Sequence, residues 1–241
     1  MLIVLPPSET KAPGGSLPAG APLHFPELDP IRADITRDLV ALCTDDPEAA
    51  MQVLGLSEKL RGEVEANQAL LSAPTMPALH RYTGVLYDAL DAPSLADATM
   101  SHLSIGSALY GLVMGGDPIP HYRLSGGTKL TPGTTMKKRW GSAITEALQR
   151  AEEEHGLVVD LRSGAYQQLG KLKTAVTVRV ESVRPDGSRK VVSHFNKHYK
   201  GLLARALAQD PSGTTATEVA DIARTAGFTV EQNSSVLTLV V

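Results

Sequence analysis

Side chains able to hold an anion crowd into one stretch of the chain, Ser101 to Gly141. Between Ala108 and Gly141 it carries five cations, Arg123, Lys129, Lys137, Lys138 and Arg139, against a single acid, Asp117. The only tryptophan, Trp140, and two of the six tyrosines, Tyr110 and Tyr122, stand among them, near the pairs Gly115-Gly116 and Gly126-Gly127. Glycine lets backbone adopt positive φ and approach a ligand closely. Cations neutralise phosphates whatever the base sequence, and rings stack on unpaired bases for about 1–3 kcal/mol each. The stretch predicts a cationic surface loop with exposed aromatic faces; for Trp140 the other reading is a core position on a helix.

Three further segments carry related chemistry. Ser8-Glu9-Thr10-Lys11 follows the apolar run Leu2 to Leu5, at the strand end where α/β sheets receive ligands. It either offers Ser8, Thr10 and Lys11 to an anion or forms a solvated turn. Arg162-Ser163-Gly164-Ala165-Tyr166 follows a second apolar run, Leu157 to Leu161. Lys197, Lys200 and Arg205 fall on the polar side of a helix expected over 196–208.

Two functions from different classes follow. The first is nucleic-acid binding without chemistry, with phosphates on Arg123, Lys129, Lys137, Lys138, Arg139, Lys197, Lys200 and Arg205, and bases on Tyr110, Tyr122 and Trp140. The second is an enzyme for a phosphorylated or nucleotide substrate, in which Lys11, Arg123, Lys197 and Ser163 converge on an anion while Tyr166 or His121 carries protons. The chain holds no HExxH, GxSxG or P-loop, and the glycines of Leu124 to Lys129 lack P-loop spacing. The seven histidines are dispersed, and only His194 and His198 stand four apart, across an expected strand-to-helix junction. No metal and no cofactor is expected. Cys43 is the single cysteine, so neither an intrachain disulfide nor a cysteine metal site forms.

The elements that must position these groups belong to an α/β chain. At 241 residues, 42% hydrophobic and 20% charged, it reads as one globular domain. No apolar run nears the roughly 20 residues that cross a bilayer, and the opening Met1 to Leu5 lacks a basic leader, so a cytoplasmic location is expected. The net charge of −3 hides an asymmetry: residues 1–100 hold 6 cations and 14 anions, whereas residues 171–205 hold 9 cations and 2 anions. A basic face built from the middle and later chain follows.

Strands are expected over Leu2 to Leu5, His102 to Ala108, Leu157 to Leu161, Thr174 to Val180 and Lys190 to Phe195, the last two joined by a turn at Pro185-Asp186-Gly187. Helices are expected over 31–44, 47–54, 135–150 and 196–208, with Thr215 and Glu218 forming a capping box for another that ends at Gly227. A final hairpin is expected from Phe228 to Val241. The helix, Leu54-Gly55-Leu56 turn and following helix resemble a helix-hairpin-helix, whose hairpin amides hold a phosphate. Asp45, Asp46, Glu48, Glu58, Glu63 and Glu65 crowd that unit, and a plain helical corner is the other reading.

Several stretches in order resemble one family. MLIVLPPSETK, YTGVLYDAL, SALYG, PHYRLSGGTKL, RWG, VVDLRSGAY and FNKHYKGLLARAL are similar to segments of the YaaA family of bacterial peroxide stress proteins and span nearly the whole chain. The resemblance implies a one-domain α/β fold, a mixed sheet flanked by helices, and a basic cleft that binds double-stranded or branched DNA. It also implies a role in limiting free iron, and hence oxidative DNA damage, under hydrogen peroxide, with no settled catalytic activity. By position it points to Lys11, Tyr87, Tyr110, Gly111, Tyr122, Arg123, Gly127, Lys129, Trp140, Ser163, Tyr166, Lys197, Gly201 and Arg205. The chain departs from the family pattern at Thr83-Gly84-Val85, where that pattern has Lys-Gly-Asp. It departs again at Met114-Gly115-Gly116-Asp117, in place of Arg-Pro-Leu-Asp, and at His198, in place of a lysine.

Overall fold

The apolar run at the amino terminus becomes the middle of a sheet. A computed structural model describes residues 1–131, 133–184, 187–191 and 195–241. Its strands, in chain order, are β1 Leu2–Leu5, β2 Met76–Pro77, β3 Leu103–Ser107, β4 Gly111–Met114 and β5 Pro118–Ile119, followed by β6 Val158–Asp160, β7 Val176–Val183, β8 Arg189–Val191, β9 Thr229–Asn233 and β10 Val236–Val240. The main sheet runs β4-β3-β1-β6-β7-β10-β9, with β8 also on β7, while β2 and β5 form a small ribbon of their own. β1 pairs in parallel with β3 and β6, β6 with β7, and β7 with β10. β4, β8 and β9 are antiparallel to their partners.

All four β1 residues are buried. A parallel strand covered on both faces has no use for a polar side chain, and Leu-Ile-Val-Leu contains none. The helices Asn196–Gln209 and Ala143–His155 both pack on it. The first also lies against Val85–Leu90, and Gly201 makes that approach possible, because a β-carbon there would collide with the Leu86 carbonyl oxygen. This contact sets the height of Lys197 and Lys200 above the sheet.

The expected α/β class and mixed sheet are observed, and the helices at 29–45, 47–54 and 196–209 lie where the periodicity puts them. The capping box at Thr215 and Glu218 and the closing hairpin form as expected. The long helix expected from Thr135 is two, Met136–Trp140 and Ala143–His155, broken at Gly141, whose φ is 52°. The surface loop expected after Tyr110 is instead β4, buried throughout and paired to β3. Leu112 and Val113 are apolar enough to form an edge strand, and Gly111 (φ 69°) makes the bend that turns the chain back. Pro185, Asp186 and the expected strand residues Val192 to His194 lie outside the described residues, and so does one member of the His194/His198 pair.

The acidic unit is a helical corner. Asp46 caps Pro47–Leu54 by accepting from the Ala49 N–H at 2.9 Å, and Gly55 ends that helix in the left-handed region. The hairpin amides that would face a phosphate are already used: Gly55 N–H bonds the Gln52 carbonyl at 3.1 Å and Leu56 N–H the Met51 carbonyl at 2.8 Å. The next long element, Gly62–Gln68, follows a single turn at Glu58–Leu60. The helix-hairpin-helix expectation is therefore corrected, since the carbonyls of the preceding helix hold the donors it needs.

Candidate anion-binding cleft at the carboxyl ends of the parallel strands

β1 and β6 run side by side and end together, and the chain leaves both over a cleft of about 740 Å³. Pro6, Pro7 and Glu9 line it from the end of β1, and Leu161 to Gln167 from the end of β6. Ser125-Gly126-Gly127 forms one lip, and Asn196, Lys197 and Lys200 form the helical wall. Leu86, Val178 and Val236 supply apolar floor. Tyr166 holds the lip in place, its hydroxyl accepting from the Gly126 N–H at 3.2 Å.

Lys200 is the polar centre of that wall. It is only 8% exposed, and its Nζ donates to the Leu161 carbonyl at 3.0 Å. Burial pulls its pKa down to about 8, with Asp160 acting in the opposite direction. Asp160 is occupied elsewhere. Its Oδ1 accepts from the Arg162 backbone N–H at 3.0 Å and Nε at 2.9 Å, and its Oδ2 from Nη2 at 2.8 Å. Both members of that pair are sealed, which makes Asp160–Arg162 the internal brace of the loop carrying Ser163. Lys197 is exposed, one helical turn before Lys200. Ser163 stands at the N-cap of Gly164–Gln167 but makes no capping bond, so its hydroxyl is spare among the described contacts.

Lys11 sits behind this cleft rather than in it. It is 9% exposed, and its Nζ donates to the carbonyls of Ser8 at 3.0 Å and Glu9 at 3.4 Å. The ammonium lies over the Tyr122 ring, 4.2 Å from its centroid, and 5.3 Å from that of Tyr82. Burial lowers its pKa to about 7, and Glu63 is the first charge to oppose the shift. The rings form one cluster: Tyr110 meets Tyr122 edge-on, Tyr82 stacks on Tyr87, and the hydroxyls of Tyr82 and Tyr122 lie 2.7 Å apart. Desolvation pushes the Tyr82, Tyr87, Tyr110 and Tyr122 phenols well up, so all stay neutral.

The expected sites therefore divide. Ser163, Tyr166, Lys197 and Lys200 are brought together around the cleft. Lys137 lines an adjoining hollow that shares Gly164 and Gln167 with it, and Lys129 and Lys138 are exposed. Arg123 does not line the cleft, and its guanidinium is held by Glu9 on the β1 side, whose carboxylate accepts from Nη2 at 2.8 Å and whose carbonyl accepts from Nη1 at 3.2 Å.

The stacking rings are corrected. Trp140 is 1% and Tyr122 1% exposed, and Tyr110 is buried with them. The Trp140 Nε1–H donates to the Ala108 carbonyl at 2.9 Å, and its ring fills the space where a Gly111 side chain would be. Two cations are corrected as well. Arg139 is held by Asp38 and Thr131. Arg205 donates to the Leu90 carbonyl at 2.9 Å and to that of Asp91 at 3.2 Å, closing the end of a neighbouring helix.

Of the anion site expected from Lys11, Arg123, Lys197 and Ser163, only Lys197 and Ser163 line the cleft, since Lys11 is turned onto the Ser8 and Glu9 carbonyls and Arg123 onto Glu9. Of its two expected proton carriers Tyr166 lines the cleft, whereas His121 Nε2 lies 3.0 Å from Glu63. Of the departures, Thr83 bonds Ser8 and Thr10 beside the cleft, while Met114, paired with Ser104, stands at the opposite end of β3. Among the described residues, no group of three or more His, Cys, Asp or Glu side chains converges.

Sequence reasoning overlooked Pro6, Pro7, Glu9, Leu86 and Arg179 as lining. Arg179 was visible in the alternation Ala175, Thr177, Arg179 opposite the buried valines. Nothing local marks Leu86, which reaches the cleft through packing of its helix on Gly201.

A family profile described as Peroxide stress protein YaaA matches residues 1–234. The chain belongs to that family. It is 63% identical to a UPF0246 protein of Corynebacterium efficiens over 255 aligned positions, covering all of both chains. A UPF0246 protein of Corynebacterium glutamicum is 58% identical, again over both whole chains. One from Streptomyces coelicolor is 44% identical over 96% of this chain and 92% of its own. No helix among the described residues is long and apolar enough to cross a membrane.

Proposed function

We propose that this member of the peroxide stress protein YaaA family acts in the cell's response to hydrogen peroxide by binding DNA through its phosphates at the mouth of the cleft. Double-stranded or branched DNA is the partner, the cytoplasm the location, and shielding DNA from iron-driven oxidation the consequence. One observation carries the reading. Lys197 and Lys200, distant in sequence from Ser125 to Gly127 and from Ser163, share one cleft with them, and Lys137 and Lys171 continue the cationic side beyond Gly164. Salt-dependent affinity follows from such contacts. Bases do not stack on Trp140 or Tyr122 in this reading, since those rings are interior.

The test is duplex DNA binding across a salt series, comparing the wild type with a Lys137→Ala/Lys197→Ala variant. Each phosphate contact removed is expected to flatten the slope of log K against log salt by about 0.9. An unchanged slope removes the cleft from the DNA interface.

A further inference from the structure

The cleft is built for more than a phosphate backbone. A backbone-binding surface needs cations alone, whereas this cavity sets cations against a wall of Pro6, Pro7, Leu86, Leu161, Val178 and Val236. Its volume of about 740 Å³ falls within the roughly 300–1,000 Å³ of small-molecule sites. A duplex lies across such a mouth but does not enter it; one nucleotide does.

Lys200 sharpens the point. It is a nine-tenths buried ammonium whose one bond among the described residues is to a carbonyl, that of Leu161. Asp160, the carboxylate whose charge acts on it, has both oxygens committed to Arg162. A buried charge is costly unless an opposite charge meets it, and none of the described acids forms an ion pair with Lys200. Two residues beyond the Leu161 carbonyl, Ser163 lines the same cleft and its hydroxyl makes no capping bond, and the lip at Gly126-Gly127 has no side chains to block entry.

We infer that the cleft encloses a single nucleoside monophosphate unit, its phosphate on Lys200, Lys197 and Ser163 and its base against the proline–leucine wall. The inference rests on the anion-binding reading above and names what enters the site. The unit comes either from a free mononucleotide or from an unpaired residue of a DNA strand, and both present the same chemistry.

The experiment measures binding of dAMP, deoxyadenosine and inorganic phosphate to the full chain by calorimetry. In parallel, the fluorescence of 2-aminopurine is followed in a duplex, either paired or as a one-base bulge. Lys200→Met is the test variant: it keeps length and apolarity and removes the unpaired charge, so its thermal midpoint should hold or rise.

Saturable dAMP binding, at least tenfold tighter than phosphate or deoxyadenosine and at least tenfold weaker in Lys200→Met, supports a free mononucleotide. A fluorescence change confined to the bulge and lost in Lys200→Met supports a strand residue. Phosphate binding as tightly as dAMP, or either signal persisting in Lys200→Met, overturns the inference. So does the absence of both dAMP binding and the bulge signal. In that last case, duplex affinity that still depends on Lys197 leaves the DNA reading standing, and its loss takes both down.

Discussion

Two buried lysines, each at the carboxyl end of a parallel strand, meet opposite fates. Lys11 follows β1 and Lys200 reaches the end of β6, and each donates to backbone carbonyls of the loop beneath it. Both are pulled below the ordinary lysine value by burial, to about 7 and about 8. Around Lys11 the remaining space is closed by the faces of Tyr122 and Tyr82, which attract a cation by their ring quadrupoles. Around Lys200 it is left open as a cleft. A lysine roofed by rings is already satisfied; one that lines a cleft has room beside it for an anion. The difference teaches that the Tyr82–Tyr122 cluster belongs to the interior, and that the open ground at this edge of the sheet lies beside Lys200, where Tyr166 is the one ring lining the cleft.

The largest expected effect breaks the comparison at the rings. If Trp140 is core, Trp140→Ala destabilises by about 3–5 kcal/mol, through an empty cavity over Gly111 and an orphaned Ala108 carbonyl. Urea unfolding measures this, and DNA affinity at low temperature should stay near the wild-type value. A loss below 1 kcal/mol accompanied by failed DNA binding would return Trp140 to the surface and reverse the distinction drawn above.

A smaller effect sharpens it at Lys11. Below about pH 7 the folded and unfolded chains both hold this proton. Between about 7 and the ordinary value of 10.5 the unfolded chain keeps it while the folded chain releases it. The unfolded state then binds more protons, so this contribution to stability rises with pH through that window. Relative to Lys11→Met, the wild type should gain about 2 kcal/mol between pH 7 and pH 9, read from paired denaturation curves. A pH-independent difference would mean that Lys11 is solvated and the roof of rings is open.

Much of the scaffold was legible because it follows from apolar runs. Leu2–Leu5 and Val158–Asp160 are short, wholly apolar or nearly so, and bounded by turn-forming residues, and they are strands. The site was half legible. That Ser163 and Tyr166 follow a strand, and that Lys197 opens a helix, is local information. Which cations remain free is not. Arg139 and Arg205 look like Lys197 in composition, yet their partners Asp38, Leu90 and Asp91 are about a hundred residues away in sequence. The rings misled for a related reason. Glycine beside an aromatic residue reads equally as an exposed loop or as room made for a ring, and only the fold shows Gly111 yielding its β-carbon space to Trp140.

The smallest effect separates two cations on one helix. Arg205 and Lys197 lie two turns apart in Asn196–Gln209, but Arg205 terminates the Val85–Leu90 helix through its last carbonyls, where a cation also meets the negative end of the helix dipole. Arg205→Ala should cost about 1 kcal/mol of stability and leave the salt dependence of DNA binding untouched. Lys197→Ala should do the reverse, holding the thermal midpoint and flattening the slope by about 0.9. If Arg205→Ala also flattens the slope, the basic surface extends past the cleft toward Asp91. Phosphate contact would then compete with helix capping for the same guanidinium, so saturating DNA would loosen the end of Val85–Leu90, which amide exchange at Leu90 and Asp91 would register.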